Sequence, residues 1–191
     1  VGTSSLRRKA QLLHLRPDLT VSDLRGNVDT RLSRLDDGDY DAIILAAAGL
    51  IRLGLSDRIT SLLPPDQFLP AAGQGALAIE ARSDDEPVLR LLQAIHDERT
   101  AAAVTAERAC AAAIGGSCQI PAGAFASWQG GDLVLRAFIA SPDGRTCLNR
   151  QATAPAADAR KLGYELGKDM LAGGGEALLR SLRTTIKGDT L

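Results

Sequence analysis

Short apolar runs, broken by helix-capping and turn residues, set the rhythm of the first 69 positions. Thr3, Ser4 and Ser5 precede an apolar-periodic stretch, which predicts a capped helix to about Leu15, stopped by Pro17. Leu19 to Leu24 reads as a strand. Asn27 can cap a short helix through about Leu35, and Asp37-Gly38-Asp39 is a turn. The run Ala42-Ile43-Ile44-Leu45, inside Tyr40 to Ala46, predicts a strand buried on both faces. Gly49 and Gly54 then break up a short helical region. Alternation of this kind predicts a parallel sheet with helices on its faces.

Pro64-Pro65 and Pro70 punctuate the next stretch, and Ala71-Ala72-Gly73-Gln74-Gly75 reads as a hinge. Ala76 to Ala81 predicts a strand. Asp84 to His96 predicts a helix with Val88, Leu91, Leu92 and Ile95 on one face. From about residue 97 the pattern changes. Asp97 can cap a helix through about Ala113, ended by Gly115-Gly116. Strand signals follow at Gly123 to Trp128, Leu133 to Ala140 and Thr146 to Thr153, with turns at Gly130-Gly131 and Pro142-Asp143-Gly144. Two helices close the chain, on either side of Gly173-Gly174-Gly175. Meandering strands plus helices predict a small α+β domain with a three-stranded antiparallel sheet.

At 191 residues and 45% hydrophobic content the chain can build a sizeable core, which excludes global disorder. A net charge of −1 argues against a general nucleic-acid binder. No apolar run is long enough to span a bilayer. Cys110, Cys118 and Cys147 give neither an even disulfide framework nor a metal-ligand spacing, so a reducing cytoplasmic setting is expected and no metal site is predicted. His14 and His96, each isolated, are read as structural, Trp128 as a core anchor, and Asp84-Asp85-Glu86 as an acidic helix start.

Two features carry candidate chemistry. Cys118 lies in Gly115-Gly116-Ser117-Cys118-Gln119-Ile120-Pro121, on a tight turn between helix and strand, where a thiol can carry a bulky covalent group. The competing reading is a buried small hydrophobe at a helix end. Arginines also recur at strand-to-helix junctions: Arg7, Arg8, Arg25, Arg31 and Arg52. Guanidinium groups suit a carboxylate-rich ligand, because each can make two parallel hydrogen bonds to a carboxylate. The competing reading is a set of solvated helix-end arginines in weak surface pairs.

The runs Gly2-Thr3-Ser4-Ser5-Leu6-Arg7-Arg8, Leu24-Arg25-Gly26-Asn27, Thr30-Arg31-Leu32, Tyr40-Asp41-Ala42-Ile43-Ile44-Leu45-Ala46, Gly49-Leu50, Arg52-Leu53-Gly54, Leu69-Pro70-Ala71, Gly73-Gln74-Gly75-Ala76, Ala106-Glu107-Arg108 and the Cys118 turn come in the order found in the porphobilinogen deaminase (hydroxymethylbilane synthase) family, which the chain resembles. The resemblance implies a transferase of tetrapyrrole biosynthesis that joins four porphobilinogen units into hydroxymethylbilane with release of ammonia. It implies a dipyrromethane cofactor, thioether-linked to Cys118, with Thr3, Ser5, Arg7, Arg8, Arg25, Arg31 and Gly49 binding it. Arg25, Arg31, Arg52 and Gln74 would bind substrate. The family's catalytic aspartate has no counterpart here, so no catalytic residue is assigned and these residues alone are expected to be inactive.

The resemblance further implies a periplasmic-binding-protein-like α/β part at 1–69, a hinge with a strand and helix of another domain at 70–96, and an α+β domain bearing the cysteine at 97–191. An N-terminal segment of the same protein is expected as partner, apolar surface at 70–96 is expected to be exposed, and the full-length protein is expected to be a monomer. Ser117 stands where the family more often has Gly. Two other readings stay open: a non-enzymatic bilobal anion-binding module, and a Cys nucleophile for acyl transfer, which lacks a His near Cys118 in sequence.

Overall fold

In the computed structural model, residues 1–115 and 120–188 are described. Seven helices and three strands are assigned among them: α1 (Leu6–Leu15), α2 (Val28–Asp36), α3 (Ala47–Arg52), α4 (Glu86–Gln93), α5 (Glu98–Ile114), β1 (Ala122–Gln129), β2 (Asp132–Ala140), β3 (Cys147–Ala154), α6 (Ala159–Met170) and α7 (Glu176–Gly188).

Helix starts fall where hydroxyl, amide or carboxylate side chains can take up orphan N–H groups. Ser5 accepts from Arg8 N–H, Asn27 from Thr30 N–H at 2.8 Å, and Asp97 from Thr100 N–H at 2.7 Å. Gly115, at φ 104°, ends α5 in the left-handed conformation that a residue with a Cβ resists. Asp85 caps α4 within the expected acidic cluster and also pairs with Arg82.

The expected parallel sheet in the first 69 residues is reduced to bridges. Gly2 is the hub, bridged to Ser22 on one side and Ile43 on the other, both parallel. Gly2 N–H donates to Ala42 O at 2.8 Å, and Thr3 N–H to Ser22 O at 2.9 Å. Leu19 to Leu24 and Tyr40 to Ala46 therefore run as extended segments that each touch the hub once, and they form no ladder. Burial on both faces is not reached either: Ile43 to Ala46 are half-buried. Ala76 to Ala81 likewise joins no strand, and α4 is shorter than expected. Leu77, Ile79, Leu91 and Ile95 are all largely exposed, with Leu91 at 74%. An apolar alternation makes a ladder only where a neighbour supplies backbone partners and cover, and among the described residues this stretch meets neither.

The C-terminal part forms the expected meander, order β1-β2-β3, antiparallel throughout. Gly130 and Gly131 form the two-residue β1–β2 turn, both at positive φ (61° and 112°), as a primed hairpin turn requires. On β2, Leu133, Leu135, Ala137 and Ile139 face the core shared with α5, α6 and α7. Phe138 and Ala140, on the opposite face, pack with Ala10 of α1 and with Leu69. The central strand is thus covered by its own domain on one side and by the N-terminal part on the other. Trp128 packs against this core as expected, though half-buried, with its indole N–H donating to Arg99 O at 3.3 Å and its ring lying under the Arg99 guanidinium.

Helices α5 and α6 meet backbone to backbone. A Cβ placed on Gly163 would collide with Ala106 O and come 2.8 Å from Ala109 Cβ; one on Gly167 would lie 2.6 Å from Ala113 Cβ. The alanines of α5 and the glycines of α6 are two halves of one close approach. Cys110 is fully buried in this interface, and burial pushes its thiol up to about 12.

Two outcomes follow. In an exposed helix Gly→Ala gains up to about 1 kcal/mol; Gly163→Val here should instead destabilise by about 1–3 kcal/mol, because a backbone carbonyl cannot move aside as a side chain can. Urea unfolding checks it. A thiol whose folded pKa lies above its unfolded value stabilises fully below the unfolded value, about 9, and loses that contribution as pH rises toward 12. Stability should therefore fall by up to about 1.4 kcal/mol per pH unit above 9. The slope should be shallower in Cys110→Ala, compared by denaturant midpoints across pH.

Candidate anion and cofactor site

The first 60 residues hold eight arginines, and the structure divides them into two groups. Three have carboxylate partners: Arg16 with Asp18 at 2.6 Å, Arg34 with Asp39 at 2.9 Å and Arg58 with Asp36 at 2.5 Å. The other five are Arg7, Arg8, Arg25, Arg31 and Arg52. Among the described residues none of these five has a carboxylate within ion-pair distance. Where they have partners, these are neutral oxygens.

Arg7 is the most buried, at 8% exposed. Its guanidinium donates to Leu69 O at 2.5 Å and to Gln74 Oε1 at 3.2 Å. Burial first, and the charge of Arg8 second, pull its pKa down to about 10. Arg8 donates to Ile44 O at 2.7 Å, and burial, then the charge of Arg31, lower its pKa as well. Arg31, on the first turn of α2, donates to Gly26 O at 2.8 Å. Arg7 and Arg8 are thus partly desolvated cations, each with a like charge acting on it. Both effects disfavour these two cations and both would be relieved by an anion. Arg25 follows the buried Leu24 and is exposed, as is Arg52 at the end of α3. The structure relates neither to the other three by a hydrogen bond.

Thr3 and Ser5 are partly used by the fold. The Thr3 hydroxyl accepts from Ser5 N–H at 3.3 Å, and Ser5 caps α1. Gly49 lies in α3 with open space where a Cβ would project. Gln74 is exposed in the turn after Ala71 and is held by Arg7. Cys118 lies outside the described residues.

A cavity of about 350 Å³ is lined by Ser5 and Arg7 of the α1 start, Ala71 and Ala72 of the linker, Ile114 at the end of α5, Ile120, and Ala122, Gly123 and Ala124 of β1. Ile114 and Ile120 are thus chain neighbours of the cysteine turn that share a cavity with Arg7. A groove of about 530 Å³ lies on the other side of Arg7, lined also by Arg8, Ile43, Leu50 and Gln74. Gly123 makes the arrangement possible, since a Cβ there would come 2.6 Å from the Phe138 ring, 2.7 Å from Pro70 O and 3.2 Å from Arg7 Cδ.

Sequence reasoning missed two residues that hold this geometry. Gln11, 5% exposed, accepts Leu69 N–H at 2.7 Å and donates to Leu69 O at 3.1 Å, closing a two-bond amide pair with one backbone residue. Glu107, also 5% exposed, accepts Gly73 N–H at 2.6 Å and Ala126 N–H at 2.8 Å. Burial raises its pKa, and the two donors oppose that rise. The visible signal was a polar residue at a core-facing position: Gln11 one residue after the buried Ala10, and Glu107 within the alanines of α5.

The described residues thus form an α/β protein in which an arginine-bearing N-terminal segment and a part with a three-stranded antiparallel sheet line one cavity. Residues 1–90 match the family model described as porphobilinogen deaminase, dipyromethane cofactor binding domain, and residues 101–172 match porphobilinogen deaminase, C-terminal domain. The chain belongs to the porphobilinogen deaminase family. It is 55% identical over 179 residues to porphobilinogen deaminase of Roseiflexus sp. (strain RS-1), covering 94% of this chain and 59% of that protein. The counterpart from Paraburkholderia phymatum is 54% identical, with 96% and 57% covered. That of Ralstonia nicotianae is 56% identical, with 95% and 56% covered. The chain thus spans somewhat over half the length of these relatives. Among the described residues no helix is long and apolar enough to cross a membrane, and no His, Cys, Asp and Glu cluster could hold a metal ion.

Gln11→Ala would leave Leu69 N–H buried without its partner, at a cost of about 1–3 kcal/mol. Thermal unfolding should show the loss, whereas a similar substitution at the exposed Gln93 should stay within about 0.5 kcal/mol.

Proposed function

We propose that this chain is the arginine-bearing and cysteine-bearing portion of a hydroxymethylbilane synthase, a cytoplasmic enzyme that joins four porphobilinogen units with release of ammonia. One observation carries the reading: of the eight arginines in the first 60 residues, the five without a carboxylate partner among the described residues are the five that the family motifs single out, while the other three are paired. A protein spends stability to keep cations partly desolvated and uncompensated only where an anion will complete them.

The residues present fit a dipyrromethane cofactor by the chemistry of their donors. Each pyrrole bears acetate and propionate arms, so every added unit brings two negative charges. Arg8, on which the charge of Arg31 acts, and Arg31 itself are candidates for these arms, with Arg7 at the cavity wall. Arg25 and Arg52 extend the cationic lining, Ser5 adds a hydroxyl, and Gly49 leaves space for a flat ring. Thr3 supports the α1 start through Ser5, and Gln74 holds Arg7 in place. When attached at Cys118, the cofactor supplies the primer onto which substrate is added. The chain's own part is to bind and orient carboxylates and to tether the primer.

Residues 1–69 are assigned to a periplasmic-binding-protein-like domain and 97–191 to the domain of the tether. Residues 70–96 are assigned to a further domain, which the uncovered Leu77, Ile79, Leu91 and Ile95 support. The catalytic aspartate that the family calls for has no counterpart in these residues, so turnover requires more of the protein than this chain. The complete protein would act as a monomer.

Intact-mass analysis tests the reading. The protein expressed with its full coding sequence should carry a dipyrromethane adduct, and Cys118→Ala should abolish it. A wild-type mass equal to the bare polypeptide, with reversible anion binding, would point to a bilobal binding module instead. An adduct persisting in Cys118→Ala would refute the tether.

A further inference from the structure

Residues 69–74 form a backbone strap between α1 on one side and the α5–β1 wall on the other, fastened at both ends. At one end Gln11 and Arg7 hold Leu69. At the other, one carboxylate from α5 reaches two backbone amides in different parts of the fold: Glu107 takes Gly73 N–H at 2.6 Å and Ala126 N–H at 2.8 Å. Between the two fastenings lie Ala71 and Ala72, which line the cavity with Ser5 and Arg7. The next residue, Gln74, is the one that holds the Arg7 guanidinium.

Chemistry makes Glu107 an unusual fastening. A carboxylate is acceptor-only when ionised, and it gives both of its oxygens to backbone donors, with no Lys or Arg within ion-pair distance among the described residues. Burying a carboxylate without a cation costs free energy. For packing alone, an alanine or leucine in a row of alanines would serve at lower cost. Charge-assisted hydrogen bonds are about twice as strong as neutral ones and are directional, so the arrangement fixes the distance between strap and sheet.

We propose that Glu107 is a positioning residue that latches the strap to β1, so that the cavity wall, Arg7 and the cysteine-bearing domain keep one fixed relation during the reaction. Its role in the reaction rests on the function proposed above, whereas the latch itself does not. Glu107 touches no ligand atom in this scheme. It acts through Gly73 and, beyond it, through Gln74 and Arg7. Without it, the strap would remain tied to α1 at Leu69 but swing free of the sheet.

The test uses the protein with its full coding sequence, as wild type, Glu107→Ala and Glu107→Gln. Hydrogen exchange reads the latch directly. In Glu107→Ala the Gly73 and Ala126 amides should exchange roughly ten- to hundredfold faster, with the remaining β2 amides unchanged. Glu107→Gln keeps one acceptor oxygen and should restore protection at one of the two amides. Unchanged exchange at both amides in Glu107→Ala would overturn the latch, as would equal acceleration throughout β2. Should Glu107→Ala fail to fold, Glu107→Gln decides alone: both amides still fully protected overturns the proposal, and loss at one supports it. Intact mass and turnover read the consequence. Glu107→Ala should retain the adduct on Cys118 yet turn over roughly tenfold or more slowly, with partial rescue in Glu107→Gln. Wild-type turnover in Glu107→Ala with the two amides released would overturn the positioning role. Absence of the adduct from the wild type would instead refute the function proposed above, while the exchange result still decides the latch.

Discussion

The backbone of Leu69 is the point on which the two parts of the molecule are hung. Its N–H and C=O are both taken by the Gln11 amide, its carbonyl also by Arg7, and its side chain packs with Ala10, Phe138 and Ala140. A polar clamp and an apolar cluster thus coincide at one residue. Arg7 can be buried only because that carbonyl and Gln74 receive its protons, and Gly123 only admits Arg7 because it has no side chain. The burial that anchors the joint also lowers the Arg7 pKa, so structural and electrostatic roles meet in one guanidinium.

Much of the C-terminal domain was legible in sequence. Asp97, Gly115 and the Gly130-Gly131 pair are local signals, since each sets its own backbone or satisfies a nearby N–H, and they hold whatever lies around them. The strands of the first 69 residues were legible only as extended segments. A parallel ladder is a property of neighbours, and Ser22 and Ile43 each find one bridge to Gly2 and no more. The same reason explains Ala76 to Ala81. Trp128 was legible as a residue packed on the core, but its Arg99 partners were not, because a backbone carbonyl leaves no mark in the sequence.

The candidate site was legible as a set of residue types and not as an arrangement. Motif order singled out Arg7, Arg8, Arg25, Arg31 and Arg52, but it could not say that Arg7 turns into the joint while Arg25 and Arg52 stay exposed. Nor could it show that Arg16, Arg34 and Arg58, which lie outside the motifs, are paired with carboxylates two, five and twenty-two residues away. Gln11 went unremarked, and Glu107 was seen only as part of a family run without a role, because their partners are backbone groups, and backbone carries no sequence signature. The alanines of α5 read as a plain helix; Gly163 and Gly167, which make them an interface, come more than forty residues later.

The two-sided burial of β2 has a bearing on how the chain assembles. The Phe138 face is received by Ala10 and Leu69, which leave the ribosome long before Phe138 does. The helical face of the same strand is received by α5, which leaves before it, and by α6 and α7, which leave after it. During synthesis β2 therefore meets its upstream neighbours first, and the joint can begin to close while α6 and α7 are still unmade. The long chain separation of those partners makes that closure entropically slow.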